Sequence, residues 1–122
     1  MMKENVYDLE DRLIEFAVLT MEVAEALPRS DSGRYLSGQM IRSGTSPALV
    51  YGEAQSAESR KDFIHKMKVA LKELRETSIN LKITQRKGFR TLPENLPVAL
   101  EEVNELISIF VKSIQTAKKN LE

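Results

Sequence analysis

Apolar residues recur every three or four positions along almost the whole chain, the spacing that gives an α-helix one apolar face. Four such stretches can be traced, and no alternating pattern typical of a strand competes with them. They run from Val6 to Leu27, Leu36 to Ala54, Phe63 to Leu81 and Leu100 to Leu121. Long amphipathic helices with short connections predict an all-α, antiparallel up-down-up-down four-helix bundle. The 122 residues are expected to form a single domain, residues 1–122.

Local signals predict where these helices begin and end. Pro28 stops the first helix, because a proline inside a helix removes a backbone hydrogen bond. Ser59 and Asp62 form a Ser-x-x-Asp capping pattern, which begins the third helix. Gly88 ends that helix, and Pro97 suits the first turn of the fourth.

Residues 39–63 combine glycines, serines and a proline with charged residues in a chain that is otherwise plain amphipathic helix. The helical phase of the apolar residues continues through this stretch, so we expect one long helix with Pro47 as the place of any kink. Gly44 lowers helix propensity by about 1 kcal/mol. The small residues therefore predict close packing at a helix–helix or subunit contact. A phosphate-binding loop is disfavoured, since there is no Walker pattern and no preceding strand.

Three polar residues of the second helix share one face, because they are four and seven positions apart: Arg42, Ser46 and Glu53. Glu73 on the next helix is placed to meet Arg42, whose guanidinium suits a carboxylate. We expect a buried structural ion pair or a subunit contact here, in preference to a ligand or catalytic site.

The net charge of zero conceals a strong segregation along the chain. Residues 59–90 contain ten lysines and arginines against three acidic residues, whereas residues 1–28 contain two against seven. One interpretation is an acidic helix beside a basic one. The other is a basic face that contacts nucleic acid. The candidate nucleic-acid-binding residues fall broadly on one side of the third helix: Lys61, Lys68, Lys72, Arg75, Lys82 and Arg86.

The composition argues against several kinds of site. The chain has no cysteine, so disulfides, iron–sulfur clusters, thiolate zinc sites and cysteine nucleophiles are excluded. His65 is the one histidine, which excludes a multi-histidine metal site within one subunit. We therefore expect no metal and no cofactor. No signal peptide and no apolar run of about 20 residues is visible, so a cytoplasmic protein without membrane spans is expected.

Several motifs resemble the small bacterial four helix bundle protein family, also known as the 23S rRNA intervening-sequence-encoded protein family. They are LPRSDSGRYLSGQMIRSGTS, GEAQSAESRKDF and the helix that contains VALKELRET. The positions that match, which the resemblance assigns to structure or to interfaces, are Gln39, Arg42, Ser43, Ser46, Glu53, Ser59, Asp62, Phe63 and Glu73. The chain departs from many relatives at Val50 and at Leu71-Lys72.

The resemblance implies a ring of five subunits and no enzymatic activity. One branch of the family is the accessory protein of diversity-generating retroelements, which binds nucleic acid and a reverse transcriptase. We therefore expect a non-enzymatic homo-oligomer that associates with RNA or DNA through the basic helix. The alternative is a scaffold that binds a protein partner without nucleic acid.

Two helices carry more apolar residues than one core-facing stripe requires. The first helix adds Ile14, Val18 and Met21, and the fourth adds Leu106 and Ile109. A second stripe is usually part of a wide core-facing band. It can also be a subunit interface, because large exposed apolar patches are rare on monomers, and we therefore expect self-association.

A remote alternative is enzymatic. Arg60 and His65 form an Arg-x4-His pattern like that of the HEPN ribonucleases, in which histidine would act as the acid or base. Two fixed positions make a weak motif, and a histidine among lysines is more often a surface residue.

Overall fold

The computed structural model describes residues 8–121 and contains four α-helices: α1 (Leu9–Glu25), α2 (Asp31–Gln55), α3 (Arg60–Arg86) and α4 (Leu96–Leu121). None of these residues forms a strand. The prediction of an all-α four-helix bundle is confirmed. Val6, with which the first predicted stripe begins, lies outside the described residues.

Short polar side chains and one glycine define the helix ends. Ser30 Oγ accepts a hydrogen bond of 3.1 Å from the Gly33 amide at the start of α2. Ser59 Oγ accepts one of 3.0 Å from the Asp62 amide at the start of α3, as its capping pattern predicted. After α3 the chain passes through Gly88 with φ of +84°, a left-handed conformation that ends helices.

The second helix runs unbroken through the glycine- and proline-containing stretch. Pro47 lies within it and is buried. The expectation of one continuous helix is therefore confirmed. Despite the polar composition of residues 39–63, the helix continues to Gln55 and ends with Ser56 as its C-cap.

The core is built from the predicted apolar stripes. Its largest fully buried side chains include Phe16, Leu13, Met40, Met67, Leu74, Leu81, Val103 and Phe110. Leu106 is also fully buried, which favours the core-facing band over a subunit interface for this residue of the second stripe. That position lies inside the wide core-facing band of α4. Tyr51 of α2 contacts Phe110 of α4 edge to face, with ring centroids 6.1 Å apart.

Each helix packs against two neighbours. Both α1 and α3 contact α2 and α4, so α1 and α3 lie at opposite corners of the bundle. The α1–α4 pair is the most loosely packed of the four neighbouring pairs. Arg12 joins its two helices through hydrogen bonds of 2.7 and 2.9 Å to Glu102 and of 2.6 Å to Glu105.

Ion pairs also fix the relative direction of α2 and α3. Arg42 contacts Glu73 and Glu76, whereas Glu53, further along α2, contacts Lys66, which lies earlier in α3. The two helices therefore run antiparallel. Among the described helices, none combines the length and the apolarity needed to cross a membrane.

Candidate functional site

Arg42 forms an ion-pair network between α2 and α3. Its guanidinium lies 3.1 Å from Glu73 Oε1 and 2.7 Å from Glu76 Oε1. The hydrogen bond to Glu76, with the negative charge of both carboxylates, raises the pKa of Arg42 against a smaller desolvation effect. The pair is not buried as the sequence suggested, since the Arg42 side chain is 53% exposed and that of Glu73 is 14% exposed. The long side chain of Arg42 lets the guanidinium reach solvent above the contact between α2 and α3.

A buried polar contact lies beneath this network. The hydroxyls of Ser43 and Thr77 are 2.9 Å apart, and Asn80 Nδ2 lies 3.4 Å from Ser43 Oγ. Ser43 and Thr77 are fully buried, and within the described chain no buried side-chain polar atom lacks a partner. Sequence reasoning singled out Ser43 but missed Thr77, whose threonine side chain looks ordinary among the apolar residues of α3.

Gly44 allows α1 and α2 to approach closely. A Cβ atom added to Gly44 would lie 2.5 Å from Thr20 Cγ2 and 2.8 Å from Thr20 Cβ. Thr20 is fully buried, and its hydroxyl donates a 2.8 Å hydrogen bond to the Phe16 carbonyl. The small residues of this segment therefore serve a contact within one subunit.

The other residues that match the family motifs make fewer contacts. Glu53 accepts a 2.9 Å hydrogen bond from Lys66, and Gln39 Oε1 lies 3.4 Å from Arg42 Nη2. Ser46 is half-buried and makes no side-chain hydrogen bond to another described residue. Phe63 is half-buried and packs against the core.

The six candidate nucleic-acid-binding residues of α3 are all exposed. Within residues 8–121 none of the six forms a salt bridge, whereas Lys66 of the same helix is paired with Glu53. Residues of one helical face that repeat every three or four positions form a continuous row along the helix. The outer side of α3 is therefore a row of cations without neighbouring carboxylate partners in this part of the chain. We call it the basic face.

A second helix adds positive charge to the basic face. Lys118 of α4 lies close enough to Lys68 for its positive charge to lower the pKa of the Lys68 ammonium. Sequence reasoning missed Lys118, because only the packing of α4 on α3 brings it to the lysines of α3. The same face borders an open depression of about 580 Å³, where Lys68, Lys72 and Arg75 lie beside the apolar Leu71 and Ile79 and one acidic residue, Glu76.

Comparison with known proteins identifies the family and the fold. Residues 7–112 match the family described as the 23S rRNA-intervening sequence protein. The chain belongs to that family. A crystal structure of a protein with unknown function from the S23 ribosomal protein family of Bacteroides thetaiotaomicron is similar, with a TM-score of 0.78 and 31% sequence identity. The similarity covers 87% of this chain and 97% of that chain. No curated protein matches the chain.

In this member of the 23S rRNA-intervening sequence protein family, Arg60 and His65 do not converge. Both lie on α3, and five positions along a helix separate two side chains by about 140° around its axis. Arg60 lines a cleft beside Phe63 and Lys112, whereas His65 is exposed and lies outside that cleft. The Arg-x4-His pattern therefore forms no shared site within one subunit.

The described part of this family member also holds no cluster of three or more histidine, cysteine, aspartate or glutamate side chains that could bind a metal ion. Its polar groups are instead used in two ways. Arg42, Ser43 and Glu53 of α2 join it to α3, and the cations of the basic face point to solvent.

Proposed function

We propose that this member of the 23S rRNA-intervening sequence protein family is a non-enzymatic, self-associating protein that binds RNA or DNA through the basic face of α3. The observation that carries the proposal is the contrast between paired and unpaired cations. Arg12, Arg42 and Lys66 are held by carboxylates that join helices. The six cations of the basic face have no such partner within residues 8–121 and serve no visible role in the bundle.

Unpaired lysines and arginines in a row are suited to phosphates. Each phosphate that a cation neutralises releases condensed counterions, which favours binding and makes it depend on salt. Such contacts position a nucleic acid without reading its bases. The proximity of Lys68 and Lys118 supports this role, because a phosphate near both ammonium groups would relieve their mutual repulsion.

Self-association is supported by an apolar stripe on α1. Ile14, Val18 and Met21 are between 38% and 45% exposed and face away from the core. Repetition of the basic face in an assembly would raise the avidity for a long nucleic acid. The ring of five subunits and the cytoplasmic location remain predictions of the family resemblance.

A protein-binding scaffold without nucleic acid is the second candidate. It is favoured by one observation, the exposure of Ile79 and Ile83 between the cations of α3. Apolar side chains among charges are typical of surfaces that contact another protein. The remote enzymatic candidate has less support, since Arg60 and His65 lie on different sides of α3.

The proposal is tested by charge reversal with a matched control. Lys68→Glu/Lys72→Glu should reduce binding to a labelled RNA or duplex DNA by about tenfold or more at about 50 mM salt. Arg29→Glu/Arg34→Glu makes the same change in net charge at exposed positions near the start of α2, so its binding should fall far less. Both variants should unfold at the wild-type midpoint.

Two results would overturn the nucleic-acid role. The first is no binding of either nucleic acid by the wild-type protein at about 50 mM salt, where electrostatic binding is strong. The second is an equal loss of binding in both charge-reversal variants, which would indicate a nonspecific effect of net charge.

A further inference from the structure

The exposed apolar stripe of α1 is framed by acidic residues. Asp11, Ile14, Val18, Met21 and Glu25 follow one another at intervals of three and four residues, so they form one row on the helix surface. All five side chains are exposed, and neither Asp11 nor Glu25 forms a salt bridge within residues 8–121. The row therefore has an acidic residue at each end and three apolar residues between them.

The second half of α3 carries a row of the opposite charge. Arg75, Ile79, Ile83 and Arg86 lie at intervals of four, four and three residues. Ile79 and Ile83 are 54% and 47% exposed, and the two arginines are exposed as well. This row therefore has an arginine at each end and two isoleucines between them.

The first half of α3 differs from the second. Lys61, Lys68 and Lys72 also point outward, but none of the exposed large apolar residues of α3 lies among them. Two surfaces therefore follow one another along the basic face, and they adjoin at the depression that Lys68 and Lys72 share with Arg75 and Ile79. The first half offers cations with no exposed large apolar side chain between them, which suits phosphates. The second half offers apolar side chains between cations, which suits an amphipathic helix with acidic ends.

The two rows cannot meet within one subunit. Because α1 and α3 occupy opposite corners of the bundle, their outward faces point in opposite directions. A contact between them joins two copies head to tail. Contacts of this kind use different surfaces on the two partners, and they close into a ring when the rotation between copies permits.

We infer that the α1 row of one copy docks on the second half of α3 of the next copy, with Ile14, Val18 and Met21 against Ile79 and Ile83. The acids at the ends of the first row then meet the arginines at the ends of the second. This inference rests on the self-association in the proposed function and names the two surfaces that form it. It leaves Lys61, Lys68 and Lys72 free for nucleic acid.

The test is a charge swap read out by molar mass in multi-angle light scattering. Asp11→Lys/Glu25→Lys and Arg75→Glu/Arg86→Glu should each raise the dissociation constant of self-association by about 100-fold, since each places like charges opposite one another. Both sets combined in one chain should restore assembly, because the charges are then complementary in the reverse sense. Circular dichroism checks that every variant is folded.

Three outcomes would overturn the inference: a monomeric wild-type protein at micromolar concentration, assembly that neither single set weakens, or assembly that the combined set fails to restore. A Val18→Lys variant provides an independent test that does not use the charge swap. It should also be monomeric and folded, since Val18 is exposed and outside the core.

Binding of nucleic acid to the same proteins separates this inference from the proposed nucleic-acid role. A monomeric Asp11→Lys/Glu25→Lys variant retains all three lysines of the first half of α3, and it should still bind a short oligonucleotide. A wild-type monomer that binds nucleic acid overturns the docking inference and the self-association on which it rests, and it leaves the nucleic-acid role intact. If each charge-reversal set weakens assembly, the combined set restores it, and the protein binds no nucleic acid, only the nucleic-acid role is overturned.

Discussion

The Ser43–Pro47 segment of α2 and the outer face of α3 differ in how their residues are used. The α2 segment combines serines, a glycine, a threonine and a proline, yet most of it faces inward. Gly44 lies against Thr20 of α1, and Ser43 bonds to Thr77 of α3. The α3 face has an ordinary helical composition, yet its cations are exposed and unpaired with the described carboxylates.

The comparison teaches that an unusual composition does not by itself mark a functional site. Gly44 and Ser43 of α2 fit two neighbouring helices, α1 and α3, at close range, which a bundle of plain leucines would not need. The lysines of the basic face form no salt bridge within residues 8–121. A group that contributes little to the fold and has no partner there is the better candidate for contact with another molecule.

The largest effect is expected from filling the space at Gly44. Gly44→Ala should lower the free energy of unfolding by about 1–3 kcal/mol, because the added Cβ clashes with the buried Thr20. Chemical denaturation followed by circular dichroism measures it. Gly38→Ala is the matched control, since no atom lies within 4 Å of its added Cβ and alanine favours the helix by about 1 kcal/mol. Equal effects at the two glycines would show that close packing at Gly44 is unimportant.

The buried hydroxyl pair should give the next effect. Thr77→Val keeps the shape of the side chain and removes the hydrogen bonds to Ser43 and to the Glu73 carbonyl, so stability should fall by about 1 kcal/mol. Thr45→Val is a suitable comparison, because Thr45 is half-buried and bonds only to carbonyls of its own helix. If Thr77→Val were neutral or stabilising, the contact would be a tolerated polar pair and not a structural one.

A still smaller effect is expected at the exposed ion pair. Arg42→Ala should leave the unfolding midpoint close to that of the wild type, since more than half of the Arg42 side chain is exposed and solvent screens the pair. Glu76→Gln should behave alike. A collapse of the fold on Arg42→Ala would restore the interpretation of this residue as a buried clamp.

The smallest effect concerns the pKa of Lys68, which the positive charge of Lys118 lowers. A folded-state pKa below the unfolded value means that the unfolded chain holds more protons in the alkaline range just below the usual lysine pKa. Stability therefore rises with pH through that window. Lys118→Gln should raise the pKa of Lys68 and remove this slope, as NMR titration of the lysine ammonium groups would detect. An unchanged pKa would mean that the two side chains are apart in solution.

Periodicity was sufficient to predict the fold. The three- and four-residue spacing gave the four helices, and Ser59 and Gly88 correctly marked the two ends of α3. Continuity of α2 through Pro47 could be predicted because the apolar phase is preserved on both sides. The sequence left Leu106 open between the core-facing band and a subunit interface, because the width of the buried band on α4 depends on how its neighbours pack.

The site was less accessible to sequence reasoning because it depends on contacts between helices. The meeting of Arg42 with Glu73 could be anticipated from spacing, but its exposure and the participation of Glu76 could not. Nothing in the spacing of residues in α4 places Lys118 near Lys68. The contact of Arg12 with Glu102 joins residues at opposite ends of the chain, so it appears only in the folded bundle.

The central claim is that the unpaired cations of α3 contact phosphates, and the dependence of duplex DNA binding on salt tests it most directly. Each phosphate contact contributes about 0.9 to the slope of the logarithm of the binding constant against the logarithm of salt concentration. Lys61→Gln/Lys68→Gln/Lys72→Gln should reduce the magnitude of that slope by about 2–3. Lys66→Gln removes a paired lysine from the same helix and should leave the slope unchanged. Wild-type and triple-variant slopes that are equal would contradict the account.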